Sequence, residues 1–394
     1  MKRTLAFLLS HLMLFCASAQ WAQQSQFLTT NELFDIRMVN ADRGAVVGEG
    51  NILLCTIDGG VSPWDGGGSF DPDITTASMV AGNIYFGNAV GTIFFESDPA
   101  TCNNEILAVG SPATDDIIDL HQTDASTGYL IANEALLFSN NSWASAVQLA
   151  PSGCTDQYSA IWFLDDERGF AGTLGGKIIE VTRMGSFFLC NEIASTSNRI
   201  RGIHFADDDH GWAVGNNGTV YRTINGGLSW TDAGFPTSEN LRTVFATSAS
   251  TVHVAGNGIY RWDESDSQWK ETLSPSEGPS LNAIWFANDN DGWAVGVQGY
   301  ITGTNNGGGA GQVVVGIGDG RMPGFEVSPT LAEAGSVRQL ELPESAIVEL
   351  FSLQGIRLYH AAHPSGPSQI KLPASEPGMY LLKAGNSVRW IAVY

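Results

Sequence analysis

The chain has 394 residues, of which 19 are Lys or Arg and 41 are Asp or Glu, so its formal net charge is −22 at pH 7. This acidic balance argues against nucleic acid and anionic lipid surfaces as partners, because both attract clusters of Lys and Arg. Charged residues make up only 15% of the chain, glycine occurs 46 times and no long amphipathic helical pattern is visible, which indicates an all-β protein.

The first 19 residues have the pattern of a secretory signal peptide. Lys2 and Arg3 precede an apolar run at 5–15, and a small-residue cleavage site places the cut between Ala19 and Gln20. Cleavage removes two basic residues and no acid, so the net charge moves from −22 to −24. No later segment approaches the roughly 18 apolar residues of a membrane span. We therefore expect the mature protein to be exported, soluble and monomeric.

One motif of paired strands recurs seven times between about residues 30 and 310. The small residue that closes the second strand returns at steps of 39 to 45 residues, at Gly48, Gly87, Ala132, Gly172, Gly215, Gly256 and Gly296. A period near 40 residues, with alternating strands and Gly-rich turns, is typical of propeller blades, each of which buries both faces only against its neighbours. The sequence therefore predicts an all-β fold, with a seven-bladed β-propeller over residues 20–311.

An apolar alternating run precedes each of these small residues and predicts the innermost strand of its blade. The runs are 36–39, 74–80, 117–120, 159–164, 201–205, 241–245 and 282–286. The seventh repeat lacks the Trp that ends the other copies, whereas Trp21 to Gln24 resembles a stray copy of that outer strand. We therefore predict that the N-terminal segment completes blade seven.

The candidate binding residues lie on these innermost strands, which line the channel of a propeller. Ser159, Arg201, Arg242 and Asn282 share one repeat position, and Trp162, His204 and Trp285 share another. Two adjacent arginines in an acidic molecule would anchor an anion or a carbohydrate if they face the channel mouth. The alternative is that these are strand residues satisfied by neighbouring backbone or packed between sheets. Arg201, Arg242, Asn282, Trp162, His204 and Trp285 are thus the candidate binding residues.

No catalytic constellation is visible in the sequence. The chain lacks a G-x-S-x-G elbow and an H-x-x-x-H pair, and no Cys/His spacing suggests zinc. The acidic turns at 207–209 and 289–291 lack the spacing of a calcium loop. We expect no catalytic residue, metal or cofactor.

Four cysteines remain after cleavage, namely Cys55, Cys102, Cys154 and Cys190, and three disulfide connectivities are possible. Cys102 and Cys190 fall on matching outer strands of blades 2 and 4, which lie too far apart for a disulfide. Cys154 is therefore the favoured partner for either of them.

The repeat stops near residue 312, where a Gly-rich linker at 312–324 leads to a different pattern. Residues 325–394 predict a small antiparallel β-sandwich with strands at 338–342, 346–352, 356–360, 369–372, 378–383 and 388–393. Val348 to Gly355, Gly378 to Lys383 and Arg389 to Val393 resemble the type A C-terminal sorting domain of type IX secretion cargo in Bacteroidota. The resemblance implies the type IX machinery as a partner. It also implies passage through the periplasm, export across the outer membrane, and cleavage of the tail with surface attachment or release.

The repeat itself resembles the photosystem II stability and assembly factor family of seven-bladed propellers, whose repeats overlap the Asp-box repeats of sialidases. Phe205 to Trp230 matches almost throughout, Phe286 to Thr304 for most of its length and Asp42 to Trp64 in part. The resemblance implies an architecture and leaves the function open. We expect a secreted or surface-attached, non-catalytic binding or scaffold protein with an unidentified protein or glycan ligand.

The alternative function is a sialidase-like or other glycoside hydrolase acting on extracellular glycans. That reading requires three arginines or paired carboxylates that converge at the channel mouth. The candidate arginines are Arg201, Arg222, Arg242 and Arg261.

Overall fold

A computed structural model describes most of the chain. The described residues are 21–24, 29–62, 64–69, 73–96, 107–110, 113–149, 156–185, 187–265, 267–309, 312–313 and eight strands between 326 and 393. The chain divides into two compact units, 1–315 and 316–394. Within the described residues, no helix is long and apolar enough to cross a membrane.

Seven antiparallel sheets form the first unit, and each is one blade. The innermost strands are Leu33–Met38, Ile74–Val80, Ile117–Gln122, Tyr158–Phe163, Ile200–Phe205, Thr243–Ser248 and Leu281–Phe286. The second strands are Gly44–Gly48, Asn83–Asn88, Gly128–Ala132, Arg168–Thr173, Gly211–Gly215, Thr251–Ala255 and Asp291–Gly296. The third strands are Ile52–Thr56, Ile93–Glu96, Ala135–Ser139, Lys177–Met184, Val220–Thr223, Ile259–Asp263 and Ile301–Asn305. The outer strands of blades 1 to 6 are Asp65–Ser69, Leu107–Gly110, Val147–Gln148, Phe187–Ser195, Thr231–Asp232 and Gln268–Leu273.

The N-terminal segment supplies the outer strand of blade 7. Ala22–Gln23 pairs antiparallel with Ile301–Asn305, and the Trp21 indole is buried, with its N–H donating to Thr272 Oγ1 at 3.1 Å. Trp21 also meets Phe286 edge-on, with ring centroids 5.8 Å apart. The predicted closure of the ring by the N-terminal segment is confirmed.

The hydrophobic core lies between blades rather than within them. Within the described residues, one apolar cluster fills each of the seven interfaces, and the cluster that joins blade 7 to blade 1 includes Trp293, Trp64 and Ile36. The second strands are buried on both faces because a neighbouring sheet covers each side. No blade can therefore bury its own apolar surface alone.

Close packing explains why glycine recurs at both ends of the second strand. A Cβ on Gly211 would lie 2.5 Å from the Phe205 ring, and a Cβ on Gly215 would lie 2.1 Å from the carbonyl oxygen of Arg199. In blade 7, a Cβ on Gly292 would lie 2.3 Å from the Phe286 ring, and a Cβ on Gly296 would lie 2.1 Å from the carbonyl oxygen of Ser280. The period visible in the sequence is thus the period of these backbone contacts.

The end of the propeller and the second unit differ in detail from the prediction. The stretch predicted as a linker begins with a strand, because Gln312–Val313 pairs with Gln268–Leu273 as a fifth strand of blade 6. Two short one-turn 3₁₀ segments, Asn216–Gly218 and Val297–Gly299, join second and third strands. In the second unit, one sheet contains Glu326–Ser328, Val337–Leu342 and Gly366–Lys371, and the other contains Leu331–Ala332, Ser387–Val393, Gly378–Ala384, Ala346–Ser352 and Arg357–His363.

Some predictions fall outside the described residues. They concern the signal peptide, the cleavage point at Ala19 and Gln20, and the remainder of the linker after residue 313. Cys55 and Cys190 each take part in a disulfide bond. The predicted pairing of Cys154 with Cys102 or Cys190 involves residues outside the described part, so it stays a prediction.

Candidate functional site

The seven innermost strands surround a central channel that contains a pocket of about 190 Å³. All six candidate binding residues line this pocket: Arg201, Arg242, Asn282, Trp162, His204 and Trp285. The strands run in the same direction around the axis, so equivalent residues form levels along the channel. Three of these levels define the chemistry of the site.

The first level, the arginine rim, consists of the second residue of each inner-strand repeat. Its members are Phe34, Thr75, Ile118, Ser159, Arg201, Arg242 and Asn282. In six blades the register with the second strand shifts at this residue, as between Ile200 and Gly202, which is the mark of a β-bulge. A bulge re-aims a side chain, and here it turns the rim residue toward the channel. Blade 6 has its irregularity later, and its strand begins at Thr243 instead of the predicted Leu241.

Several rim side chains bind the backbone of the next blade. The Ser159 hydroxyl donates to the carbonyl of Ile200 at 2.6 Å, and the Asn282 amide donates to the carbonyl of Leu33 at 2.8 Å. Innermost strands have one open edge, so these bonds satisfy carbonyls that no sheet partner reaches. For Ser159 and Asn282, the reading as strand residues satisfied by neighbouring backbone is therefore the one that the contacts support.

The rim arginines have a different environment. Arg201 Nε donates to Asn216 Oδ1, and Arg242 donates to Asn282 Oδ1. Within the part of the chain that the structure describes, neither arginine has a carboxylate within 4.0 Å, and nor does nearby Arg199. Burial lowers the pKa of Arg201, and the charges of Arg199 and Arg242 lower it further. Positive charge is thus concentrated at one mouth of the channel without a direct ion pair in the described residues. Glu32 reaches Arg242 only through the Asn282 amide, which donates to Glu32 Oε1 at 2.9 Å.

The second level contains two carboxylates, Asp35 and Asp119, that the sequence pattern does not single out. Asp35 is buried and accepts backbone N–H groups from Ile36 and from Ala77 of the next blade, both at 2.8 Å. It also forms an ion pair with Arg37. Asp35 therefore joins two inner strands and has its negative charge compensated.

Asp119 joins blades 3 and 4 in the same way, but it forms no ion pair with the residues that the structure describes. Its two oxygens accept the N–H groups of Leu120 at 2.9 Å and Ile161 at 2.8 Å. Burial raises the pKa of Asp119 to about 6, and the charge of Asp35 adds to the increase. Among the described residues, no Lys, Arg or His approaches its carboxylate within 4.0 Å.

The third level is an aromatic belt that lies three residues beyond the rim on each inner strand. Its members are Arg37, Ser78, His121, Trp162, His204, Phe245 and Trp285. Successive ring centroids are separated by 4.6 Å from His121 to Trp162, 4.2 Å to His204, 4.3 Å to Phe245 and 4.9 Å to Trp285. The Arg37 guanidinium completes the series 4.8 Å from the Trp285 ring. Such tilted and edge-on contacts favour aromatic pairs, so the rings support one another around the channel.

The belt is uncharged near neutral pH apart from Arg37. Burial, with the Arg37 charge, lowers the pKa of His121 to about 4, and burial with His121 and Arg37 lowers that of His204 to about 3. A second pocket, of about 260 Å³, lies at the far ends of the inner strands and shares His204 and Phe245 with the first. The belt therefore forms a largely aromatic floor between the two pockets, with Arg37 as its one charged member.

The remaining candidate arginines lie elsewhere. Arg222 pairs with Glu264 at 2.6 Å, and Arg261 donates to the carbonyl of Gly307 at 3.2 Å. Neither lines the pocket. Within the described residues, no group of three or more His, Cys, Asp or Glu is placed to hold a metal ion.

The fold and the channel define the chain as a seven-bladed β-propeller with almost no helix. No family model and no curated protein matches the sequence. Among solved structures, the chain is similar to YCF48 bound to D1 peptide, with a TM-score of 0.58, 15% identity, and coverage of 72% of this chain and 96% of that one. It is also similar to YCF48 from Cyanidioschyzon merolae, with a TM-score of 0.56, 17% identity, and coverage of 72% and 98%. The chain is similar to the same degree to the WD40 propeller domain of Doa1, with a TM-score of 0.58, 11% identity, and coverage of 72% of this chain and 94% of that one. These likenesses therefore concern the fold.

Proposed function

We propose that this protein is an exported, non-catalytic binding or scaffold module whose channel mouth holds a carboxylate-bearing ligand on a protein or a glycan. The observation that carries this proposal is the pair of arginines, Arg201 and Arg242, which line the pocket without a carboxylate within 4.0 Å in the described structure. The seven-bladed ring supplies a rigid frame for such a site.

The unused donors of these side chains favour an anionic ligand. A guanidinium carries five N–H donors in a planar fork that fits a carboxylate, and each of these arginines uses one donor within the described structure. Charge-assisted bonds of this kind contribute about 1.5–3 kcal/mol each. A carboxylate at the rim would also neutralise the mutual repulsion of the arginines.

The fold likeness supports a peptide as one class of ligand. The similar YCF48 ring has been solved with a D1 peptide bound, so a ring of this architecture can present a peptide-binding surface. At 15% identity the likeness extends to the fold alone, and the ligand class for this chain stays part of the proposal.

The proposed export rests on the two ends of the chain. The N-terminal signal pattern supports entry into the periplasm, and the resemblance of the tail to a sorting domain supports the type IX route and a secreted or surface-attached location. Removal of residues 325–394 should leave the protein in the periplasm of a Bacteroidota host that has type IX secretion. Equal surface or medium levels with and without the tail, measured by cell fractionation, would refute this route.

The binding proposal is tested with matched carboxylate probes. Peptides that end in a free carboxylate or in an amide, and sialylated or uronic acid glycans with their neutral counterparts, should be screened against the mature protein. We expect retention of the carboxylate member of a pair, and an affinity at least tenfold lower for the variant with both Arg201→Gln and Arg242→Gln. The variant Arg222→Gln, whose ion pair lies outside the pocket, is the control and should bind as the unaltered protein does.

The cluster of Arg199, Arg201 and Arg242 also favours the alternative, a sialidase-like hydrolase, because that chemistry requires several arginines around one carboxylate. The two pocket carboxylates, Asp35 and Asp119, each accept backbone N–H groups from two neighbouring blades. This structural role does not favour them as the carboxylate pair of a glycoside hydrolase. Turnover of a fluorogenic sialoside that is lost in the variant with both arginines replaced would establish this alternative in place of the non-catalytic module.

A further inference from the structure

The charges of the pocket are arranged on opposite walls. In a ring of seven blades, blade 2 faces the gap between blades 5 and 6. Asp35 and Asp119 flank blade 2 from blades 1 and 3, whereas Arg201 and Arg242 belong to blades 5 and 6. One cavity of about 190 Å³ therefore has a carboxylate wall directly opposite a guanidinium wall.

Asp119 is the carboxylate that forms no ion pair in the described residues, and the Arg37 charge acts on it only from a longer distance. Asp35 is paired with Arg37, whereas Asp119 has no cation within 4.0 Å in the described residues. Each of its oxygens accepts one backbone N–H, and its accessible surface faces the pocket that it lines. Burying a charged group without a counter-charge is unfavourable, so a cationic group at this point would stabilise the site.

We propose that the pocket binds a free α-amino acid with an apolar or aromatic side chain, a ligand class that rests on the carboxylate-binding role of the rim. The ligand carboxylate is held by Arg201 and Arg242, its ammonium group donates to Asp119, and its side chain lies against the aromatic belt. The rim and the carboxylate level are neighbouring residues on the inner strands, which places them about 3.3 Å apart along the axis. A short ligand that carries both a carboxylate and an ammonium group can therefore meet the two levels from between the opposite walls.

The depth and volume of the pocket limit the rest of the ligand. The belt lies three strand residues beyond the rim, or roughly 10 Å along the channel. The part of the belt formed by Trp162, Phe245 and Trp285 offers apolar surface and no hydrogen-bond acceptor for a polar side chain. Pockets for drug-sized ligands usually have volumes of about 300–1,000 Å³, so 190 Å³ suits a single amino acid.

The experiment compares one zwitterion with its two halves on the mature protein by isothermal titration calorimetry. The probes are L-phenylalanine, 3-phenylpropionate, which lacks the ammonium group, and 2-phenylethylamine, which lacks the carboxylate. We expect L-phenylalanine to bind at least tenfold more tightly than either half. Asp119→Asn should reduce its affinity at least tenfold while leaving 3-phenylpropionate unchanged, whereas Arg201→Gln with Arg242→Gln should weaken both.

The outcomes separate this inference from the broader proposal. Equal affinity for L-phenylalanine and 3-phenylpropionate would overturn the amino acid as ligand and leave the carboxylate-binding rim in place. Failure of every carboxylate probe, glycans and peptides included, would overturn both. If Asp119→Asn does not fold, the three probes on the unaltered protein still decide the matter.

Discussion

His253 is a fully buried histidine in blade 6 whose two ring nitrogens have no hydrogen-bond partner among the described residues. Its ring stacks on Phe286 of blade 7, with centroids 4.1 Å apart. Burial, with the Arg261 charge, lowers the pKa of His253 to about 3. With His204, which is also buried, and His121, which is partly buried at the pocket, this makes three histidines that the folded ring keeps neutral.

The propeller should lose stability in acid because of these histidines. An unfolded histidine has a pKa of about 6.5, so the unfolded chain takes up the proton first as the pH falls. The contribution of each neutral histidine to the free energy of unfolding is therefore fully present above about pH 6.5. It is lost progressively toward pH 3, by up to about 1.4 kcal/mol per pH unit for each histidine. The raised pKa of Asp119 acts in the opposite direction between about pH 6 and 4 and offsets part of the loss.

The variant His253→Phe isolates one of these contributions. We expect the free energy of unfolding, measured in denaturant from pH 8 to 4, to fall less steeply for the variant than for the unaltered protein. Above pH 7 the histidine is neutral in both states, so the difference there reports packing alone and serves as the internal control. Parallel profiles at all pH values would show that His253 does not couple stability to protons.

The turn between the third and outer strands of blade 5 contacts the preceding blade, blade 4. In blade 5 the Thr223 hydroxyl accepts the N–H of Gly227 at 2.9 Å, and the Asn225 side chain accepts the N–H of Ser229 at 3.0 Å. Gly227 has a φ of +80°, and a Cβ there would lie 2.0 Å from the Phe170 ring of blade 4. The turn therefore needs glycine for both its conformation and its fit.

A matched pair of glycines separates these two requirements. Gly227→Ala should lower the free energy of unfolding by about 2–4 kcal/mol, because backbone strain of about 1–2 kcal/mol adds to overpacking of similar size. Gly234→Ala should cost only the backbone part, since Gly234 has a φ of +64° and a Cβ there would meet nothing within 4 Å. Equal losses in urea unfolding would show that the contact with Phe170 contributes nothing.

At the scale of the whole molecule, the ring depends on one small strand for its closure. The Trp21 indole lies 2.9 Å from the point where a Cβ on Gly308 would be, and Trp64 lies 2.7 Å from the same point on Gly60 in blade 1. Trp21 thus fills in blade 7 the position that Trp64 fills in blade 1. Trp21 belongs to the apolar cluster between blades 6 and 7, so its loss would open that interface.

Trp21→Ala should destabilise the propeller by about 3–5 kcal/mol, the range for truncating a buried Trp. The unfolding free energy of the mature chain in guanidinium measures the effect. Val147, which is 62% exposed on the outer strand of blade 3, provides the control, and Val147→Ala should cost under about 0.5 kcal/mol. A small loss for Trp21→Ala would mean that the ring holds without its N-terminal strand.

The sequence predicted the blade number and the closure by the N-terminal strand because both follow from contacts repeated around the ring. Glycines such as Gly215 and Gly296 recur wherever backbone from the preceding connection comes close, so their spacing follows from these backbone contacts. The level of the rim was also recognisable, since Arg201 and Arg242 occupy one repeat position.

The opposite wall of the pocket was missed for a physical reason. Asp35 and Asp119 follow a β-bulge, which inserts one residue and changes the face on which later side chains lie. Period-two alternation does not reveal such a shift. Blade 1 carries the motif only in part, and blades 2 and 3 match blade 5 only in spacing. A register carried over from Arg201 and Gly202 would have selected both carboxylates.

The strand supplied by Trp21 to Gln24 has a consequence for the order of events during folding. Its partners lie far along the chain, and Trp21 is separated from Thr272, to which it is bonded, by 251 residues. Contacts between such distant segments are slow to form because a long loop must close first. During synthesis the segment from Trp21 to Gln24 is therefore made first, but it cannot pair until the last blade has been made.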